Sequence, residues 1–326
     1  MKELRFSANI NTFNACADRY VLSGYGQRLT TEELIAAATK VEGLTGLEVV
    51  GFWHVNDDNV HQVNRRIRDA GFQVTCVTPD IWASAQWGRG SFTSNDPKVR
   101  RAAIQEVKKS MEWARQMDCK VVDLWFGQDG YDYPLQADYM AAWDRLIEGT
   151  IECAEHLPDV NLVIEYKPKE PRTHCFISTV GKTLLLLEKV NKPNVGAMID
   201  VGHALMAYEV AAESAALLQY FGNKLFYMHF NDNWRLWDDD MTVGMVHTVE
   251  MLELLYWLDR IGYDGWYALD IFPYREDGVR AATECIRWIQ GLHALLDKIG
   301  REHLGEVIAN GDAMAASALV REALLG

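Results

Sequence analysis

The sequence predicts an α/β protein built as a single (β/α)8 TIM barrel with a C-terminal helical extension. Three observations predict it. Eight short β-rich runs alternate with longer stretches of helical period, as a parallel sheet requires. Eight such units in 326 residues fit a closed barrel. No GxGxxG follows the first strand, as a dinucleotide-binding open sheet would have.

The strands are expected at 5–10, 46–53, 73–79, 120–126, 161–167, 195–200, 224–230 and 266–272. They are rich in Val, Ile, Leu, Phe, Tyr and Trp, as strands buried on both faces are. Between them, "TTEELIAAATKVEGL", "DPKVRRAAIQEVKKSMEWARQM" and "SAALLQYFG" repeat apolar residues every three or four positions. Thr30 and Thr31 before Glu32 and Glu33 form a helix start, and Asp96-Pro97 opens the long third helix. His247, in "GMVHTVE", reads as a residue at a helix start. The barrel is assigned to residues 1–298, and 299–326 to one or two extra helices.

Composition narrows the function. Hydrophobic residues make up 49% and charged residues 24%, enough for a large core and against disorder. A net charge of −14 repels nucleic acid and anionic membranes, so neither is an expected partner. No apolar run of membrane-spanning length occurs and "MKELRFSANI" has no signal-like core, so a soluble, cytoplasmic protein is expected. The six cysteines form no CxxC pair and are expected as small buried residues rather than a disulfide framework.

Functional residues of such a barrel gather at the C-terminal ends of the strands. The fifth strand ends in Glu165 and Lys167, two opposite charges on one face of "VIEYKPKEP". The sixth ends in Asp200, followed by Gly202-His203; the seventh in His229, followed by "NDNWRLWDDD"; the eighth in Asp270. Carboxylates gathered at one rim repel one another, and burial raises the cost. A divalent cation removes both problems, and the mixed oxygen and nitrogen set suits Mn2+, Mg2+, Co2+ or Zn2+. Glu165 is therefore expected as a ligand, with Lys167 near substrate oxygens. Asp200 and His203, three residues apart, can reach two different cations. Asp238 and Asp240 alternate on a loop and with His203 offer a second seat, although an acidic triplet is commonly a solvated turn. Trp53, Trp82, Trp87, Trp125 and Phe230 lie at or after strands, where rings can pack on sugar C–H faces. His174, after the Glu165 strand, is a further candidate to face substrate.

This arrangement resembles the xylose-isomerase-like barrels. Glu-x-Lys, Asp-x-x-His, His and Asp on strands five to eight carry the resemblance. "GSFTSNDPKVRRAAI", "LWFGQDGYDYPLQ" and "HFNDN…WDDDM" are similar to segments of the L-rhamnose isomerase branch. The resemblance spans roughly residues 70–280. It implies one metal site of Glu165, Asp200, His229 and Asp270 and a second of His203, Asp238 and Asp240. The loop after His229 is one residue longer than the family pattern, which leaves the choice among Asp238, Asp239 and Asp240 open. The resemblance further implies that Trp125 lines a sugar site and that Lys167 contacts a substrate oxygen. Lys167, Asp270 and His203 are the expected catalytic residues, and Trp125, Lys167, His174 and Trp53 the expected substrate contacts. The implied activity is a metal-dependent aldose–ketose isomerase acting on an unphosphorylated monosaccharide by hydride shift. The sugar would be rhamnose, another deoxyhexose, a pentose or a branched pentose. Mn2+ is placed first among the cations, in two sites, and a homodimer or homotetramer is expected. A metal-dependent ketose 3-epimerase is the alternative, and a non-catalytic sugar-binding barrel a further one.

Overall fold

The computed structural model describes residues 4–326. Eight strands close a parallel barrel: β1 (Phe6–Asn9), β2 (Leu44–Val50), β3 (Gln73–Thr78), β4 (Val121–Trp125), β6 (Asn161–Glu165), β8 (Val195–Asp200), β9 (Leu225–Phe230) and β10 (Tyr267–Leu269). They are neighbours in chain order, and β1 completes the ring by pairing with both β2 and β10. Two short strands outside the barrel, β5 (Gly130–Tyr131) and β7 (His174–Cys175), pair antiparallel. All eight expected strands are present, and the barrel is the expected fold class.

Helices cover the outside where the sequence places them. Thr30 caps α1 (Thr31–Ala38) in a capping box with Glu33. Asp96 caps α3 (Pro97–Gln116), whose first residue is the proline that needs no hydrogen-bond partner there. The remaining helices of the outer ring are α2 (Val60–Asp69), α4 (Tyr139–His156), α5 (Val180–Val190), α6 (Val201–Met206), α7 (Ala211–Tyr220), α8 (Thr248–Arg260) and α9 (Gly278–Ile299). His247 is the residue before α8, as expected, and its side chain does not cap the helix. Past α9 come α10 (Arg301–Ala309), which buries Leu304 and Val307, and α11 (Ala313–Leu325), which buries none of its residues. Among the described residues no helix is long and apolar enough to cross a membrane. All six cysteines are free and buried.

The core has two parts. The larger lies between strands and helices; the smaller, inside the barrel, joins Cys76, Val163, Met198, Tyr227 and Ala268. Side chains alternate along a strand, so the residue two positions on shares that inner face. Two past Val163, Met198, Tyr227 and Ala268 come Glu165, Asp200, His229 and Asp270. The apolar layer is thus the floor on which the polar layer rests, at the C-terminal mouth.

Candidate metal centre and its cleft

Parallel register sets the polar layer side by side. Asp200 is opposite His229, and His229 is opposite Ala268, the residue two before Asp270. Glu165 pairs with Met198, two before Asp200. Ligand atoms of Glu165, Asp200, His229 and Asp270 consequently lie within 4.8 Å of one another. The Nδ1 atom of His229 is 3.3 Å from Glu165 Oε1, 3.6 Å from Asp270 Oδ2 and 3.8 Å from Asp200 Oδ2. A second group, also within 4.8 Å, joins Asp200, His203 and Asp238. Asp200 is the residue common to both. It also caps α6, accepting the backbone N–H of His203 at 2.9 Å, which is why the strand end and the first helical turn share one small volume.

Electrostatics show what the first group lacks. Burial pushes Asp270 up to about 7, with Asp200 and Glu165 adding to the rise against the opposing His229. Burial likewise lifts Asp200 to about 6, against His203. Burial would raise Glu165 too, but His229 and His203 bring it down to about 2. His229 is itself held charged: burial opposes the proton, and Glu48, Asp270 and Glu165 outweigh burial. Two buried carboxyls with raised proton affinity, round an imidazole whose affinity is raised too, mark a group short of positive charge. Three carboxylates and an imidazole without a thiolate form a hard donor set that fits a divalent cation.

The second group is balanced differently. The Nζ atom of Lys167 lies 2.6 Å from Asp238 Oδ2, and His203 Nε2 lies 3.0 Å from the same oxygen. Burial raises the Asp238 carboxyl, but Lys167 and His203 together hold it far below the usual range. Burial would strip the Lys167 proton, but Asp238 and Glu170 raise its affinity, so Lys167 is a fixed cation and not a base. His203 is raised to about 9: burial opposes charge, and Asp200 and Asp238 overcome it. Its Nδ1 faces the Tyr166 carbonyl at 3.1 Å, which turns Nε2 toward Asp238. The other oxygen of Asp238, Oδ1, is buried without a hydrogen-bond partner.

The triplet left open by the sequence divides clearly. Asp238 joins His203; Asp239 accepts the backbone N–H of Trp234 at 3.1 Å; Asp240 accepts from the Asn231 carboxamide at 3.2 Å. Asp240, expected as a ligand of the second site, thus stands outside both groups because its oxygen is turned to Asn231. Asn231 also donates to Asp200 Oδ2 at 2.9 Å and accepts the Gly202 N–H at 2.7 Å, so one buried side chain braces three parts of the mouth. Asn9 braces Asp270, donating to Oδ1 at 3.0 Å.

A cleft of about 1030 Å³ opens over the centre, and Trp53, Trp82, Trp125 and Lys167 line it. The rings form a chain, Trp53 to Trp82 at 5.8 Å and Trp82 to Trp125 at 5.1 Å, and the Lys167 ammonium lies 5.2 Å from the Trp125 ring. The indole N–H of Trp125 is buried with no acceptor in the protein. His174, expected to face substrate, is not among the residues that line this cleft. It lies on β7, which pairs with β5, and is exposed and stacked on Tyr131 at 4.8 Å.

Sequence reading missed Glu48, Asp123 and Tyr227. Glu48 Oε2 lies 3.1 Å from His229 Nε2, and Tyr227 donates to Glu48 Oε1 at 2.7 Å. Asp123 is buried beside Glu165, and burial, then the Glu165 charge, raise its carboxyl far above the usual range. A carboxylate inside an apolar run, as in "GLEVVGF" and "VVDLWF", was the available signal.

A closed parallel barrel with hard metal-type ligands at its C-terminal mouth, under an aromatic cleft, defines the class. Residues 35–292 match the family described as xylose isomerase-like TIM barrel, and the chain belongs to that family. Solved structures agree in fold. A D-tagatose 3-epimerase-like protein is 18% identical, with 90% of this chain and 99% of that one covered and a TM-score of 0.68. A D-psicose 3-epimerase from Clostridium cellulolyticum H10, solved with D-tagatose, is 16% identical, with 90% and 99% covered and a TM-score of 0.67. An L-ribulose 3-epimerase is 14% identical, with 91% and 98% covered and a TM-score of 0.69. These neighbours show the shared fold, and none of the three is a rhamnose isomerase, so the branch expected from the sequence is not supported.

Proposed function

We propose that the chain is a metal-dependent enzyme that rearranges a free, unphosphorylated sugar at the carbons beside its carbonyl, and that its reaction is ketose 3-epimerisation. The observation that carries the proposal is the group of Glu165, Asp200, His229 and Asp270, buried at the mouth and short of positive charge. These four residues would hold one divalent cation, with Mn2+ the first to load. When bound, it would act as a Lewis acid that polarises the substrate carbonyl and acidifies the adjacent C–H.

The chain's own residues supply the rest. Glu165 and Asp270 approach His229 from β6 and from the end of β10, on opposite sides of β8 and β9. One carboxylate takes the C3 proton on one face, and the other returns a proton on the opposite face. Lys167, permanently charged, offers hydrogen bonds to a substrate oxygen. Trp53, Trp82 and Trp125 pack on the sugar's C–H face and exclude water, and the free Trp125 N–H donates to a hydroxyl. Lys167 and His203 already balance Asp238, which supports a single cation.

Aldose–ketose isomerisation is the second reading. The group of Asp200, His203 and Asp238 favours it, because a second cation there would suit a hydride shift between two oxygen-bearing carbons. One experiment separates the two. Mn2+-loaded protein is incubated in D2O with free ketoses and aldoses and followed by NMR. A 3-epimer carrying deuterium at C3 is the expected result. Aldose from ketose without solvent deuterium would replace it with the isomerase, and no turnover of any sugar by a Mn2+-saturated protein would count against both.

A further inference from the structure

We infer that Glu48, itself held by Tyr227, is the positioning residue that fixes the His229 ring with Nδ1 toward the cation. This inference rests on the metal centre proposed above. Glu48 sits in the middle of β2 between Leu47 and Val49, both fully buried, and is 2% exposed. A carboxylate there is unfavourable by several kcal/mol unless its oxygens are satisfied. Both are: Oε1 accepts from the Tyr227 hydroxyl at 2.7 Å, and Oε2 lies 3.1 Å from His229 Nε2.

The geometry assigns the two nitrogens of His229 different work. Nδ1 faces Glu165, Asp270 and Asp200, and Nε2 faces only Glu48 among the carboxylates in contact with the ring. Glu48, an acceptor, holds the Nε2 proton, so the Nδ1 lone pair is left for the cation. The charge of Glu48 also makes the ring a stronger donor to the cation. Tyr227 lies two residues before His229 on the same inner face of β9, so one strand carries both the ligand and the clamp on its partner. Glu48 does not reach the cleft floor as a ligand and does not touch substrate; it acts through His229.

Glu48→Gln tests the inference with little change of shape. An amide loses the charge and can turn an N–H as readily as its oxygen toward Nε2, so the proton on the ring is no longer fixed. Mn2+ affinity is read from free Mn2+ by EPR, with circular dichroism to check the fold. Wild type is expected to bind Mn2+, and Glu48→Gln to bind roughly 10- to 100-fold more weakly. Tyr227→Phe leaves Glu48 on His229 and is expected to weaken binding roughly two- to tenfold. In 15N-histidine NMR of the loaded wild type, His229 is expected as the Nε2–H tautomer, and in Glu48→Gln that assignment is expected to be lost. A folded Glu48→Gln with Mn2+ affinity and tautomer unchanged overturns the positioning role alone. A wild type that binds no divalent cation overturns the metal centre itself. If Glu48→Gln does not fold, an unchanged affinity in Tyr227→Phe overturns the clamp.

Discussion

Gly202 lies between the strand-end Asp200 and His203, and its backbone is gripped from both sides. Its N–H donates to Asn231 Oδ1 at 2.7 Å, and its carbonyl accepts from Asn233 Nδ2 at 2.9 Å. A Cβ there would stand 2.7 Å from Asn231 Oδ1 and 2.8 Å from Asn233 Nδ2, closer than such atoms approach. Both amides are fully buried, so neither can swing into solvent. Overpacking of this kind costs about 1–3 kcal/mol. A weakened bond on either side adds about 1 kcal/mol. Gly202→Ala is therefore expected to lower the stability of the cation-free protein by about 2–4 kcal/mol, read as a shift in urea midpoint at constant slope. The damage passes through Asn231 to Asp200, so Mn2+ affinity is expected to fall as well. A variant within about 0.5 kcal/mol of wild type, the range of an ordinary surface change, would refute the close-packing argument.

Two further outcomes follow from the same geometry. His54 is buried, and its Nδ1 accepts the Val50 N–H at 3.0 Å, so the folded ring is neutral; burial lowers it from 6.5 to about 4. The unfolded chain binds the extra proton between those values, so stability is full above pH 6.5 and falls as pH drops toward 4, by about 3 kcal/mol in all. His54→Asn keeps an acceptor for Val50 and is expected to lose that part of the slope in urea melts across the window; an unchanged slope would contradict the neutral buried ring. Glu165→Gln removes one oxygen anion from the four-residue group, so Mn2+ binding and turnover are expected to fall together, and retention of both would contradict its place as a ligand.

The strand ends were legible in the sequence because each site residue stands two positions beyond an apolar residue of the same inner face. That period marks Glu165, Asp200, His229 and Asp270 from residue order alone. What was not legible depends on closure or on loop direction. Glu48 and His229 are 181 residues apart and meet only because the barrel closes. The Asp238–Asp240 triplet offers three equivalent carboxylates in one dimension. Its division follows from a left-handed Asp240, at φ 46°, and from Asn231, which captures that side chain. The pairing that sets His174 beside Tyr131 was not legible because two-residue strands such as β5 and β7 leave no periodic trace.

The polar layer also explains why its neighbours are so heavily braced. Burial raises the Asp200 carboxyl to about 6 and Asp270 to about 7, and like charges so close would open the layer if nothing braced it. Asn9 on β1 and Glu48 on β2 each tie one member of the group to another strand, and Asn231, just past β9, ties a third. The bracing therefore sets the positions of the ligand atoms, and a cation seated there would displace protons rather than gather its ligands. Pre-set ligands lower the ordering cost of binding, which is the physical reason that a substitution in the bracing residues should weaken cation affinity without touching the ligands themselves.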